Sequence, residues 1–226
     1  MNITQTDRFR DAPWFPENEE FCMIGGAGGI GSWLTFFLSK AGFKPIVYDF
    51  DIIEEHNLGG QLFRVSDVNS NKVDALAQIV NTFCGVEIST FTQRIDINSP
   101  THHFCFSAFD NMKARKDFFK VWKKSIEDCP VTPIFIDGRL TMEQLQIFSV
   151  TPKTMDKYEQ EHLFNDSEVE DAPCTMRQTS HTAAKIAAHM TSIFTNHITN
   201  IYERATVRDV PFYYEFFTPV NLTNIE

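Results

Sequence analysis

The sequence predicts a three-layer α/β fold, with helices on both faces of a mixed, mainly parallel sheet. Two observations carry this expectation. Short apolar runs alternate with segments of helical period as far as residue 137, and a glycine-rich turn joins the first such run to the first helix. Beyond residue 143 the alternation of apolar and polar residues changes to a period of two, which adds antiparallel strands to the sheet.

The elements follow in order. Residues 1–20, with Pro13, Pro16 and the acidic Glu17, Glu19 and Glu20, read as an N-terminal arm without a basic-then-apolar leader. Residues 21–24 (FCMI) form a short strand that runs into the glycines. A helix spans 31–41, capped by Gly42. The strand 44–48 (KPIVY) ends at Asp49-Phe50-Asp51. Val73, Leu76, Ala77, Ile79 and Val80 give 72–83 a helical period, and 86–91 is a strand. FCFSA (104–108) is a buried strand ending at Phe109-Asp110-Asn111, followed by a helix over 113–127. PIFID (133–137) is another strand, and 144–150 alternates as an antiparallel one. The polar, acidic stretch 151–173 reads as a mobile surface loop. A helix over 181–202 and a late aromatic strand within VPFYYEFFTPV complete the chain. All 226 residues are expected to form a single domain.

Composition narrows the function. The net charge of −10 argues against a nucleic-acid surface, which needs clustered Lys and Arg. The one basic cluster, KARKDFFKVWKK (113–124), has apolar residues at helical spacing and reads as the wet face of a helix. No apolar run approaches the roughly 20 residues of a membrane helix, so no membrane partner is expected. The five cysteines are scattered and odd in number, which fits free thiols in a reducing cytoplasm. No CxxC pair is present and adjacent His102 and His103 point apart in a strand, so no zinc is expected.

The glycine turn carries the chemistry. Gly26-Ala27-Gly28-Gly29-Ile30-Gly31 matches GxGxxG between a strand and a helix. Such a turn brings backbone N–H groups and a helix N-terminus to a phosphate. Asp49, at the end of the next strand, is placed to accept both ribose hydroxyls. These features give a Rossmann-like nucleotide site and suit NAD or FAD as well as ATP.

The residues after Asp49 separate these nucleotides. Asp49-Phe50-Asp51, Asn57-Leu58-Gly59-Gly60-Gln61, Lys72, and Asp110-Asn111 followed by Arg115 stand in the order GxGGxG, DxD, NLxRQ, lysine and DNxxxR. In this the sequence resembles the ThiF/MoeB family and the adenylation domains of ubiquitin-activating enzymes. The resemblance implies ATP-dependent adenylation of a carboxylate at the end of a ubiquitin-like or sulfur-carrier protein, or of a peptide. It implies that Gly26, Gly28, Gly29 and Gly31 cradle the nucleotide, with Asp49, Asp51, Asn57 and Gln61 around it. It further implies that Lys72 contacts phosphates, Asp110 holds Mg²⁺ and the chain is a homodimer.

One position departs from the pattern: Gly60 stands where the family has an arginine facing the triphosphate. Arg64 is one substitute for that charge. Arg8 and Arg10 are others, because relatives insert an N-terminal arginine into the neighbouring subunit's site. Pro173-Cys174-Thr175 resembles the segment in which activating enzymes carry their modifier as a thioester, so Cys174 is the expected nucleophile. The sequence leaves three alternatives to protein or peptide activation: a nucleotide-binding module with weakened catalysis, an NAD- or FAD-dependent oxidoreductase, and adenylation of a small molecule.

Overall fold

The computed structural model describes residues 6–15, 19–126, 129, 131–141, 143–164, 179–203 and 207–226. The strands are β1 (Phe21–Gly25), β2 (Lys44–Tyr48), β3 (Ser89–Phe91), β4 (Phe104–Ser107), β5 (Ile134–Thr141), β6 (Gln144–Val150), β7 (Tyr213–Phe217) and β8 (Leu222–Ile225). The helices are α1 (Gly29–Lys40), α2 (Lys72–Cys84), α3 (Met112–Ser125), α4 (Met155–Glu161) and α5 (Ser180–Tyr202).

All eight strands join one sheet in the order β3-β2-β1-β4-β5-β6-β7-β8. Strands β1 to β5 pair in parallel, and β6, β7 and β8 are added antiparallel. Parallel neighbours need crossovers, and helices on both faces supply them. Alternation along the strands divides the core accordingly. Cys22, Ile24, Phe104, Phe106, Ile134 and Ile136 face the layer of α1, α2 and α5. Met23, Cys105 and Phe135 face the layer of α3 and α4, where Phe118, Phe119, Trp122 and Tyr158 pack.

Two elements differ from the sequence expectation. Helix α4 forms inside the stretch expected as a loop, and the remainder of that stretch from 165 lies outside the described residues. Its polar composition hides a helix held by one fully buried side chain, Tyr158, and by Lys123 of α3, whose Nζ reaches Asp156 at 3.1 Å and Glu159 at 2.7 Å. Strand β8 was not expected, because all four of its residues are exposed and no buried face marks it. Backbone pairing with β7 makes it a strand.

Glycines set the closest approaches. Gly26 adopts φ 95°, a backbone conformation that side chains resist. A Cβ on Gly31 would collide with the Gly26 carbonyl, and one on Gly138 would collide with the Met190 sulfur. The Gly31 contact is with backbone, so α1 lies against the turn at a distance only glycine allows, whereas the Met190 side chain can move. Gly31→Ala is expected to cost about 1–3 kcal/mol in urea unfolding, as overpacking does. Gly59→Ala, with nothing within 4 Å of its added Cβ, should stay within about 0.5 kcal/mol of the parent.

Candidate functional site

Strands β1, β2 and β4 end on one side of the sheet, at the point where the strand order reverses from β1 outward to β2 and from β1 across to β4. A cleft of about 1560 Å³ opens there. Its floor is the glycine turn, held from the β2 side by two hydrogen bonds. Gly26 N donates to the Tyr48 carbonyl at 2.8 Å, and Ala27 N donates to Asp49 Oδ2 at 2.6 Å. Asp49 Oδ1 accepts from Asp51 N at 2.8 Å. Burial raises the Asp49 carboxyl above its usual value, against the lowering effects of the Ala27 N–H and the Lys72 charge.

Most of the sequence-predicted residues meet in this cleft. Gly26, Gly28, Gly29, Asp49 and Asp51 line one side, with Asn57, Gln61 and Lys72 nearby and Asp110 on the β4 side. Lys72 is buried and its Nζ pairs with Asp51 Oδ2 at 2.7 Å. Gln61 Oε1 is buried without a hydrogen-bond partner, an acceptor that a ligand hydroxyl or amine would satisfy. Asn111 caps α3, its Oδ1 accepting from Ala114 N at 2.8 Å. Asp110 is thereby released from capping and stands exposed in the cleft wall.

Three of the expected residues are elsewhere. Gly31 does not line the cleft; it is buried in α1 and sets the approach of the helix to the turn. Arg64 does not line the cleft and is turned to Asp67, which it holds through Nε at 2.9 and 3.0 Å and through Nη2 at 2.7 Å. Arg10 bonds Asp7 in the N-terminal segment. That segment is pinned through Phe9 and Trp14 to Phe43, beside the start of β2 and at the opposite end of the strands from the cleft. Cys174 lies outside the described residues.

The cleft also contains cations that no motif marked. Arg94 follows β3 and lies over the Phe50 ring at 4.3 Å, and Lys120 of α3 also lines the cleft. Arg139 lies two residues beyond Asp137 on β5. Continuing the PIFID strand signal by two residues would have put it on the face of Asp137.

Asp137 is the centre of a buried ionic group. Arg115 binds its Oδ1 and also donates to the carbonyls of Gly138, at 3.1 Å, and of Phe109. Arg139 Nε donates to Oδ2 at 2.7 Å, and the Tyr158 hydroxyl donates to the same oxygen at 2.9 Å. Arg139 Nη2 reaches the His162 carbonyl at 2.9 Å, and its guanidinium lies 4.5 Å from the Phe148 ring centre. Burial would raise the Asp137 carboxyl, but the Arg115 and Arg139 charges outweigh it and hold the group below its usual value. Burial and the Asp137 charge push the Tyr158 hydroxyl well up, so it remains a proton donor.

The ThiF family model matches residues 18–218. The chain belongs to the ThiF family. Solved structures give this ThiF chain its fold relatives. PaaA is 18% identical with a TM-score of 0.67, over 92% of this chain and 63% of that one. E. coli MccB with MccA-N7isoASN is 17% identical with a TM-score of 0.69, over 92% of this chain and 64% of MccB. E. coli MccB with ATP is 16% identical, with a TM-score of 0.65, over 92% of this chain and 63% of that one. The ThiF chain thus spans less than two thirds of each of these structures. Comparison with curated proteins gives no match. The fold is shared with MccB and PaaA. No described helix is long and apolar enough to cross a membrane.

Removing the Asp137 charge leaves two buried guanidiniums unpaired. Asp137→Asn should cost about 3–5 kcal/mol in denaturant unfolding. Its pH dependence follows from the depressed carboxyl. The parent should have this stability in full above the unfolded carboxylate value of about 4 and lose it as pH falls through the lower folded value. Asp137→Asn should lack that acid-dependent loss.

Proposed function

We propose that this ThiF-family chain binds ATP in the cleft and adenylates the terminal carboxylate of a peptide or of a ubiquitin-like or sulfur-carrier protein. The observation that carries this reading is the meeting of Asp49, Lys72 and Asp110 around one glycine turn. A carboxylate for ribose, a cation for phosphates and a second carboxylate released from helix capping suit a nucleoside triphosphate. The cleft volume of about 1560 Å³ exceeds the roughly 300–1,000 Å³ of a site for one small ligand, which supports two reactants side by side. E. coli MccB has been solved with ATP and with MccA.

In this reading a carboxylate oxygen of the substrate attacks the α-phosphorus of ATP. The bond from that phosphorus to the bridging oxygen breaks, pyrophosphate leaves with the electron pair, and an acyl-adenylate remains. Asp49 orients the ribose, and the backbone N–H groups of the glycine turn face the phosphates. Lys72, presently paired with Asp51, supplies positive charge to the phosphates. Among the described residues no three His, Cys, Asp or Glu side chains are grouped to hold a metal ion. A lone carboxylate at Asp110 fits magnesium, which is commonly held by one or two carboxylates, phosphates and water. Asp110 would hold that ion, and when bound it neutralises charge on the phosphates.

Two further parts belong to the proposal. A Cys174 thiolate would attack the acyl carbonyl and expel AMP, forming a thioester. The 226 residues would act as one domain in a homodimer. Arg8 and Arg10 are tied to the far end of their own sheet, so a site role for them requires the partner's cleft. Gly60 supports a second reading, a nucleotide-binding module of weakened catalysis. The position has no side chain, and Arg64 is committed to Asp67.

ATP–pyrophosphate exchange with candidate peptides and carriers tests the main reading. Lys72→Ala and Asp110→Asn should each lower exchange by about 100-fold or more. Binding of ATP–Mg²⁺ with no exchange for any carboxylate would favour the second reading, and a reducible adduct lost in Cys174→Ala would establish the thioester. Because the Asp49 carboxyl is raised and the ribose needs its ionised form, ATP affinity should be full at neutral pH. It should fall as pH drops through a midpoint above the usual carboxylate value. Calorimetry across that range should show no such limb in Asp49→Asn.

A further inference from the structure

Among the described residues the ionic group on β5 is unbalanced. Arg115 and Arg139, with side chains 8% and 11% exposed, both bind the fully buried Asp137, so two guanidiniums share one carboxylate. Tyr158 adds no charge, because its hydroxyl remains protonated beside Asp137. Among the described residues one positive charge is left over in a largely dehydrated wall, and such a charge is costly unless an anion meets it. Both arginines line the cleft. Arg115 is spent on Asp137 and on two backbone carbonyls. Arg139 uses Nε and Nη2, and among the described residues nothing accepts from its Nη1.

The position of this charge separates it from the nucleotide residues. Arg139 continues into Leu140 and Thr141 along β5, and these three line the cleft together with Phe164. The glycine turn, Asp49 and Lys72 belong to β1, β2 and α2, on the other side of β4. Arg115 connects the two regions, since it bonds the carbonyl of Phe109 next to Asp110. The Phe164 ring, 5.7 Å from the Arg139 guanidinium, provides an apolar surface beside the charge, which suits a carboxylate at the end of a chain better than a free inorganic anion.

We propose that Arg139 is the carboxylate-recognition residue of a second compartment, where its guanidinium binds the terminal carboxylate of an extended chain lying along Thr141 and Phe164. The identity of the anion rests on the adenylation reading. The unbalanced charge does not.

Calorimetry on the full chain saturated with the non-hydrolysable ATP analogue AMPCPP and Mg²⁺ tests this. The probes are triglycine, which has no side chains to exclude, and triglycinamide, which lacks the carboxylate. Triglycine should bind about tenfold or more tighter than triglycinamide, the difference a charge-assisted hydrogen bond makes. Arg139→Gln should reduce triglycine to the level of the amide, and Arg139→Lys should retain most of the difference. Affinity for AMPCPP–Mg²⁺ should be unchanged in both variants. Equal binding of the two probes to the parent, or no binding of either, would overturn the proposal even if Arg139→Gln fails to fold. A loss of AMPCPP affinity in a folded Arg139 variant would overturn it by moving the charge to the phosphates. Asp166, Glu168, Glu170 and Asp171 follow Phe164 in the sequence. If neutralising all four tightens triglycine by about tenfold, those carboxylates are the counter-charge and the proposal is wrong. Failure of AMPCPP to bind the parent would instead count against the nucleotide reading.

Discussion

The carboxylate of Asp137 connects parts of the chain that are distant in sequence and have to agree in position. Through Arg115 it fixes α3 and the end of β4, including the Phe109 carbonyl beside Asp110. Through Arg139 and Tyr158 it fixes β5 to α4 and to the His162 carbonyl beyond it. A buried group of this kind adds little net stability over an apolar equivalent, but breaking it is expensive. Its effect here is geometric, since one wall of the cleft takes its shape from it.

The opposite wall is formed by close packing without charge. Gly31 brings α1 against the Gly26 carbonyl, and Gly26 takes a backbone conformation that opens the turn. The Ala27 N–H bonded to Asp49 then joins the turn to the end of β2. The two walls meet at β1 and β4, where the strand order reverses and a parallel sheet leaves a crevice between its crossovers. The adenylation reading depends on this meeting, because a triphosphate and an acyl group have to lie together to react.

Local pattern made much of this legible. The alternation of strands and helices, the glycine turn and Asp49 could be read from residue order, because each depends on neighbours in sequence. Helix α4 and strand β8 could not. Tyr158 stabilises α4 by packing against the rings of Phe119, Phe135 and Phe148, and β8 exists through backbone bonds to β7. Arg64 is held away from the cleft for a local reason, since Asp67 three residues later offers it a carboxylate.

The sequence by itself determined the layer order, the family motifs and the residues that converge at the ends of β1, β2 and β4. Periodicity and strand-end position depend on near neighbours, so they survive without coordinates. Tertiary structure decided which charges face the cleft. It turned Arg64 away, placed Arg10 at the far end of the sheet, and brought Arg94, Lys120 and Arg139 into the walls. A long side chain is directed by the carboxylates and rings that the fold brings within its reach, and those partners are up to 22 residues away for Arg115, at Asp137, and 25 for Arg139, at Phe164.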